Sequence, residues 1–235
     1  MPKSGYVLTK THCGGYCTNC PMMNYLEDYE TFSNRCLGSR YIKQDEDGEF
    51  LETQNVYGRS LVSKAVHLIR DPYDNVVSRF HLDYNKYVKA NQTEMMDKYP
   101  KSREGFRSYC SDLGDRFNED LGSKFYQDLD DVKDIPCHAD FFRWIQWHNH
   151  AFVTTWDMAL PTLVMHYENY TTAFEETKNT LLDFLEQKQV HDPPSFVTGK
   201  TYREYYTEGE VRAIAAMIKK LALETTWNHI KHYFG

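Results

Sequence analysis

The segment from Lys64 to Leu82, KAVHLIRDPYDNVVSRFHL, changes character within two residues. Ala65 to Ile69 is a short apolar run of strand length, too short and too uniformly apolar for a surface helix. It stops at Arg70, and Asp71-Pro72 then supplies a capping carboxylate and a proline at the first helical position. Behind that start, Val76, Phe80, Tyr84 and Val88 recur at four-residue spacing. A buried strand that turns directly into a capped helix is the opening of a βα crossover, and it commits the chain to a parallel sheet.

Two other runs have the composition of buried strands, Tyr6 to Thr9 and Thr162 to Tyr167. Longer helical patterns surround them. About Cys137 to Thr154 carries Phe141, Trp144, Ile145, His148 and Phe152 on one face; Tyr170 to about Gln187 carries Phe174, Leu181, Leu182 and Leu185; Glu208 to Trp227 carries Val211, Ile214, Ile218 and Leu221. The pattern predicts an α/β fold of one domain over residues 1–235, a parallel sheet flanked by helices on both faces. Residues 16–60 break the alternation with a cluster of cysteines and the acidic run Asp45-Glu46-Asp47, and read as a Cys-rich insertion. Residues 91–135, rich in Asp, Lys and Ser, read as a polar surface excursion with one or two short helices.

Composition narrows the classes of function. Tyrosine (18) and phenylalanine (13) dominate an aromatic apolar mass, while 27 basic against 34 acidic side chains give a net charge of −7. That balance argues against a general nucleic-acid surface, so any anion site must be local. No window approaches the roughly 18 consecutive apolar residues of a membrane span, and no leader pattern opens the sequence. Six cysteines, at 13, 17, 20, 36, 110 and 137, suit a disulfide framework and hence a lumenal or extracellular compartment. A zinc site at Cys13, Cys17, Cys20 and Cys36, or free buried thiols, are the alternatives. Asn91-Gln92-Thr93 and Asn169-Tyr170-Thr171 are glycosylation sequons that lean toward the secretory reading.

In open parallel sheets ligands gather beyond the carboxyl ends of the strands. Lys10 and His12 follow the first predicted strand, Arg70 the second, Tyr167 and Glu168 the third. At Arg70 a phosphate would meet a guanidinium fork and the free amides of the following helix together. Ser78, eight residues on, is in range to add a hydroxyl.

KAVHLIRDPYDNVVSRF resembles the 3′-phosphate-binding motif of sulfotransferases that use 3′-phosphoadenosine 5′-phosphosulfate, in which an Arg at a strand end and a Ser eight residues later hold the donor's 3′-phosphate. Lys-Thr-His within TKTHCGG is similar to the family's catalytic segment, and LVMHYENYTTAFEETKNTLLDFL to its later strand, Tyr-Glu turn and helix. The resemblance implies a P-loop nucleotide-hydrolase-like fold. It implies His12 as base, Lys10 on the transferring group, Arg70 and Ser78 on the donor, Lys200 and Tyr202 at its nucleotide end, and Tyr167 in the acceptor pocket. It further implies the nucleotide sulfate donor and no metal, a hydroxyl acceptor, possibly a glycan, and the Golgi lumen or secretory pathway, with the cytoplasm as alternative. The family's 5′-phosphosulfate loop must follow a strand and open a helix, whereas Pro2-Lys3-Ser4-Gly5 runs into Tyr6-Val7-Leu8. The expectation is therefore an N-terminally incomplete sulfotransferase fold, with a catalytically incomplete binding module or truncated fragment as the competing reading.

Overall fold

The computed structural model describes residues 8–13, 28–44, 50–118, 134–193 and 199–235. Its centre is a pair of parallel strands, β3 (Ala65–Ile69) and β4 (Thr162–His166), in register from Ala65 opposite Thr162 to Ile69 opposite His166. They follow a helix α1 (Tyr29–Cys36) and an antiparallel hairpin of β1 (Gly38–Gln44) and β2 (Phe50–Val56). Parallel strands require a crossover. Here it is α2 (Pro72–Lys89), α3 (Thr93–Lys98), α4 (Arg103–Asn118) and α5 (His138–Asp157). Beyond β4 come α6 (Asn169–Thr172), α7 (Phe174–Phe184), α8 (Glu208–Leu221) and α9 (Glu224–Ile230). The described chain is thus α/β and mostly helical, with a small parallel sheet between helices.

The helix starts follow local chemistry. Asp71 caps α2, its carboxylate accepting from the amides of Tyr73 (2.8 Å) and Asp74 (3.4 Å). Thr207 and Glu210 form a reciprocal capping box at α8. The predicted helix from Tyr170 to Gln187 is broken at Ala173 into α6 and α7, and the one from Glu208 to Trp227 is broken between Leu221 and Glu224.

The core is aromatic. Tyr73 is fully buried, with Phe141, Tyr206 and Phe234 around its ring and its hydroxyl donating to the Val211 carbonyl at 2.9 Å. Ile69, Phe80, Phe106, Ile145, Ile214 and Ile218 complete the same cluster. Within the described part of residues 91–135, read as a polar surface excursion, Tyr99, Phe106, Tyr109 and Cys110 lie in the main core, so this part is not confined to the surface. Gly105 makes this possible, because a Cβ there would collide with the Pro100 carbonyl. A polar composition hides the contribution because three residues at helical spacing, Phe106, Tyr109 and Cys110, suffice to anchor one face of α4.

Other expectations are corrected or fall elsewhere. Leu8 and Thr9 are in no strand, and Leu8 is 78% exposed; Tyr6, Val7 and the Pro2 to Gly5 stretch lie outside the described residues. The described part of the 16–60 region, read as a Cys-rich insertion, contains α1 and the hairpin. Cys13 is bonded to Cys36, and Cys110 to Cys137, so Cys13 and Cys36 are a disulfide rather than two zinc ligands; Cys17 and Cys20 lie outside the described residues. No helix among the described residues is long and apolar enough to cross a membrane.

Candidate functional site

β3 carries the chain to Arg70, and α2 begins two residues later, so the guanidinium emerges where strand and helix meet. Its plane lies over the Tyr167 ring, 4.7 Å from the centroid. The residue after β4 thus serves as a platform for the residue after β3, an arrangement fixed by the Tyr167 amide donating to the Ile69 carbonyl at 2.7 Å. Glu168 ties the same junction together, accepting from the Asp71 amide (2.9 Å) and from the Tyr233 hydroxyl (2.8 Å).

The expectation of free helix amides beside Arg70 is corrected. The Tyr73 and Asp74 amides are taken by the Asp71 carboxylate, so an anion at this junction is left with the guanidinium and side-chain donors. Burial, and then the neighbouring Asp74, push the Asp71 carboxyl up to about 6. Asp74 is also raised by burial, opposed by the Tyr202 amide, which donates to its Oδ1 at 2.6 Å, and by Arg70.

Lys10, His12, Arg70 and Ser78 all line one cavity of about 1290 Å³. They are brought there by the end of β3 with α2, and by the segment of residues 8–13, which is held by the Cys13–Cys36 disulfide and by the Trp147 indole donating to the His12 carbonyl at 2.7 Å. Partial burial, and secondarily the charge of Lys10, hold the His12 imidazole below its ordinary value. At neutral pH it is an unprotonated base.

Tyr167, Lys200 and Tyr202 do not line this cavity. Tyr167 sits beneath Arg70 rather than in an acceptor pocket. Tyr202 packs edge-on against His81 at 4.8 Å and binds Asp74 through its amide, following Gly199, whose φ of 75° suits glycine. Lys200 is exposed and close enough to His81 to help depress its imidazole to about 4, after burial.

Sequence reasoning missed Arg79, Asp140 and Arg143 on the cavity wall, where Arg79 pairs with Asp140 and Arg143 reaches the same carboxylate at 3.5 Å. The signal available was the basic residue directly after Ser78. Among the described lining residues the charged groups are Lys10, Arg70, Arg79, Arg143, the carboxylate of Asp140, and Lys64, whose ammonium is paired with Glu186 at 2.6 Å. A chain of net charge −7 has concentrated cations in one hollow, which favours an anionic ligand there.

A scan against protein-family models, a search of curated proteins and a search of solved structures each return no match.

Proposed function

We propose that the chain is a sulfotransferase that moves a sulfuryl group from 3′-phosphoadenosine 5′-phosphosulfate to a hydroxyl acceptor. The observation that carries the reading is the shared cavity: a base, a lysine, an arginine at a strand end and a serine two turns into the next helix meet there. Arg70 and Ser78 hold the donor's 3′-phosphate, the fork giving paired charge-assisted bonds. The acceptor oxygen attacks sulfur, the bond from sulfur to the nucleotide's 5′-phosphate oxygen breaks, and the His12 imidazole takes the acceptor proton. Lys10 stabilises the charge that grows on the departing phosphate oxygen. Arg79 and Arg143 add positive potential along the same wall.

The disulfides and the exposure of Asn91 and Asn169 support a secretory, Golgi-lumenal setting. A binding module without turnover is the second reading, favoured by Pro2-Lys3-Ser4-Gly5 running into the apolar Tyr6-Val7-Leu8, a sequence that does not suit the donor's 5′-phosphosulfate loop. Calorimetric titration with adenosine 3′,5′-bisphosphate tests the site. Binding should weaken roughly 10- to 100-fold in Arg70→Ala, the cost of charge-assisted bonds; equal affinity in both proteins would refute the assignment. Transfer of labelled sulfate to a hydroxyl acceptor separates enzyme from module.

A further inference from the structure

Five of the chain's ten histidines gather at the parallel strands: His67 of β3, His148 of α5, His166 of β4, His229 of α9 and His232 in the turn Lys231–Tyr233 that follows α9. His67 meets the Phe152 ring edge-on at 4.8 Å, and His229 stacks on that ring at 5.0 Å. His232 meets His166 edge-on at 4.7 Å. Both histidines of the C-terminal segment Glu224–Gly235 thus sit against a histidine of the sheet, one directly and one across Phe152. Ile230 and Tyr233, from the same segment, belong to the main core.

The same segment is bonded to the candidate site. The Tyr233 hydroxyl donates to Oε2 of Glu168 at 2.8 Å, so its oxygen accepts from Nδ1 of His166, 2.8 Å away. Oε1 of Glu168 takes the Asp71 amide at 2.9 Å, at the junction that presents Arg70. Arg203 donates to the Tyr233 carbonyl at 3.4 Å while its guanidinium lies over the Tyr73 ring. A continuous chain of bonds runs from His166 through Tyr233 and Glu168 to the start of α2.

We infer that Glu224–Gly235 is an acid-released cover: protons taken up by the histidines around it free the segment and, through the Tyr233–Glu168 bond, loosen the Arg70 junction. The consequence for the donor rests on the sulfuryl-transfer reading; the release does not. Burial supplies the trigger. Nδ1 of His67 and Nδ1 of His148 are buried without a hydrogen-bond partner, so a proton placed there in the closed protein would be an unpaired buried charge. Burial, then His229, depresses the His67 imidazole to about 4; burial, then His67 and His166, depresses that of His148 to about 3. Burial and His232 hold His166 down against the pull of Glu168, and burial holds down His229. A value depressed in the folded state gives stability that is complete above the ordinary 6.5 and is lost as pH falls toward about 4. An opening that exposes His67 alone becomes roughly 30-fold easier between pH 7.5 and pH 5.0. The carboxyls of Asp71 and Asp74, which also act on Tyr233, are raised by burial and work in the opposite sense.

Amide hydrogen exchange on the full chain, corrected for the intrinsic pH dependence, is the test. Protection of the α9 amides should fall by about 30-fold or more from pH 7.5 to pH 5.0, well beyond the fall in α2 and α4, and should recover on return to pH 7.5. His67→Leu, which keeps the volume and removes the titration, should abolish about 30-fold of that fall. His229→Phe, which keeps the stack on Phe152, should abolish a smaller part, and it decides the matter if His67→Leu does not fold. An equal fall in α9, α2 and α4, or a fall unchanged by these substitutions, would overturn the release. Saturating adenosine 3′,5′-bisphosphate should restore α9 protection at pH 5.0, because a ligand of the closed junction opposes its opening. Bisphosphate that binds and restores nothing would overturn the link to Arg70. Bisphosphate that binds at neither pH, with histidine-dependent release intact, would instead count against the donor site alone.

Discussion

The two disulfides of the described chain close loops of nearly equal length, 23 residues for Cys13–Cys36 and 27 for Cys110–Cys137, yet they fasten regions of opposite kind. Cys110–Cys137 joins α4 to the residue before α5 inside the main core, among Phe80, Phe106 and Phe141. Cys13–Cys36 belongs to a separate small cluster with Phe32 and Ala151, on which the Lys10 to His12 segment rides. Each bond also holds one cysteine in the left-handed region, Cys13 at φ 48° and Cys137 at φ 55°. The Arg70 and Ser78 half of the candidate site is built on the core, and the Lys10 and His12 half, catalytic in the proposed reading, is tethered to a satellite.

Loop-closure entropy is almost the same for both bonds, so a difference between their removals reports on the surroundings. Cys110→Ser with Cys137→Ser should lower global stability by about 2–4 kcal/mol in urea denaturation. Cys13→Ser with Cys36→Ser should lower it by under about 1 kcal/mol, because the satellite can open without the core. The same pair should reduce sulfuryl transfer at least ten-fold while bisphosphate affinity stays near wild type, since Arg70 is held elsewhere. Equal losses of stability in the two double variants would erase the distinction between the regions.

A smaller effect comes from the carboxylate that caps α2. Asp71 has a folded value raised to about 6 against an ordinary 3.8, so its charge is tolerated less well in the native state than in the unfolded one. The sign follows from linkage: this group favours the folded state when protonated, and its contribution is lost as pH rises from about 4 through about 6. Asp71→Asn keeps a good cap and removes the titration. Its stability relative to wild type should therefore increase across that window, by an amount on the order of 1–3 kcal/mol, and be flat above it. Denaturation midpoints of the two proteins at pH 4, 5, 6 and 7 provide the check, and parallel curves would refute it.

The core half of this division was legible in the sequence. Ala65 to Ile69, the Asp71-Pro72 start and the α5 face from Phe141 to Phe152 all carried local signals that tertiary packing did not override. Val76 and Phe80 are buried as their spacing predicts, whereas Val88 at the end of the same stripe is 46% exposed because α2 outruns the core there. The satellite half was not. Leu8 and Thr9 look like a strand by composition, but a four-residue apolar run has no pairing information of its own. The hairpin of β1 and β2 was announced only by Asp47-Gly48 between two β-prone runs, a turn signal easily lost among neighbouring acids. Trp144 and His148 are buried as the period of that face predicts, Trp144 within the main core, but both also line the cavity, and a stripe that packs and a stripe that borders a hollow have the same period.

The smallest expected effect probes the satellite half from within. Lys10 and burial together hold His12 below its ordinary value, burial being the larger cause. A general base works only when unprotonated, so the transfer rate should fall as pH drops through the depressed His12 value, giving a lower limb below about 6.5. Lys10→Met removes the nearby positive charge and leaves the burial, so the limb should move upward, toward 6.5, by less than about one pH unit. The maximal rate should fall as well, since in the proposed mechanism the lysine stabilises the leaving phosphate oxygen, but that loss is independent of pH over this range. The limb position is therefore the diagnostic quantity. Raising salt should shift the wild-type limb in the same direction and leave the variant unmoved, because an exposed pair is screened. A limb that stays fixed on substitution would mean that Lys10 and His12 do not sense one another, and the catalytic half would lose its internal coupling.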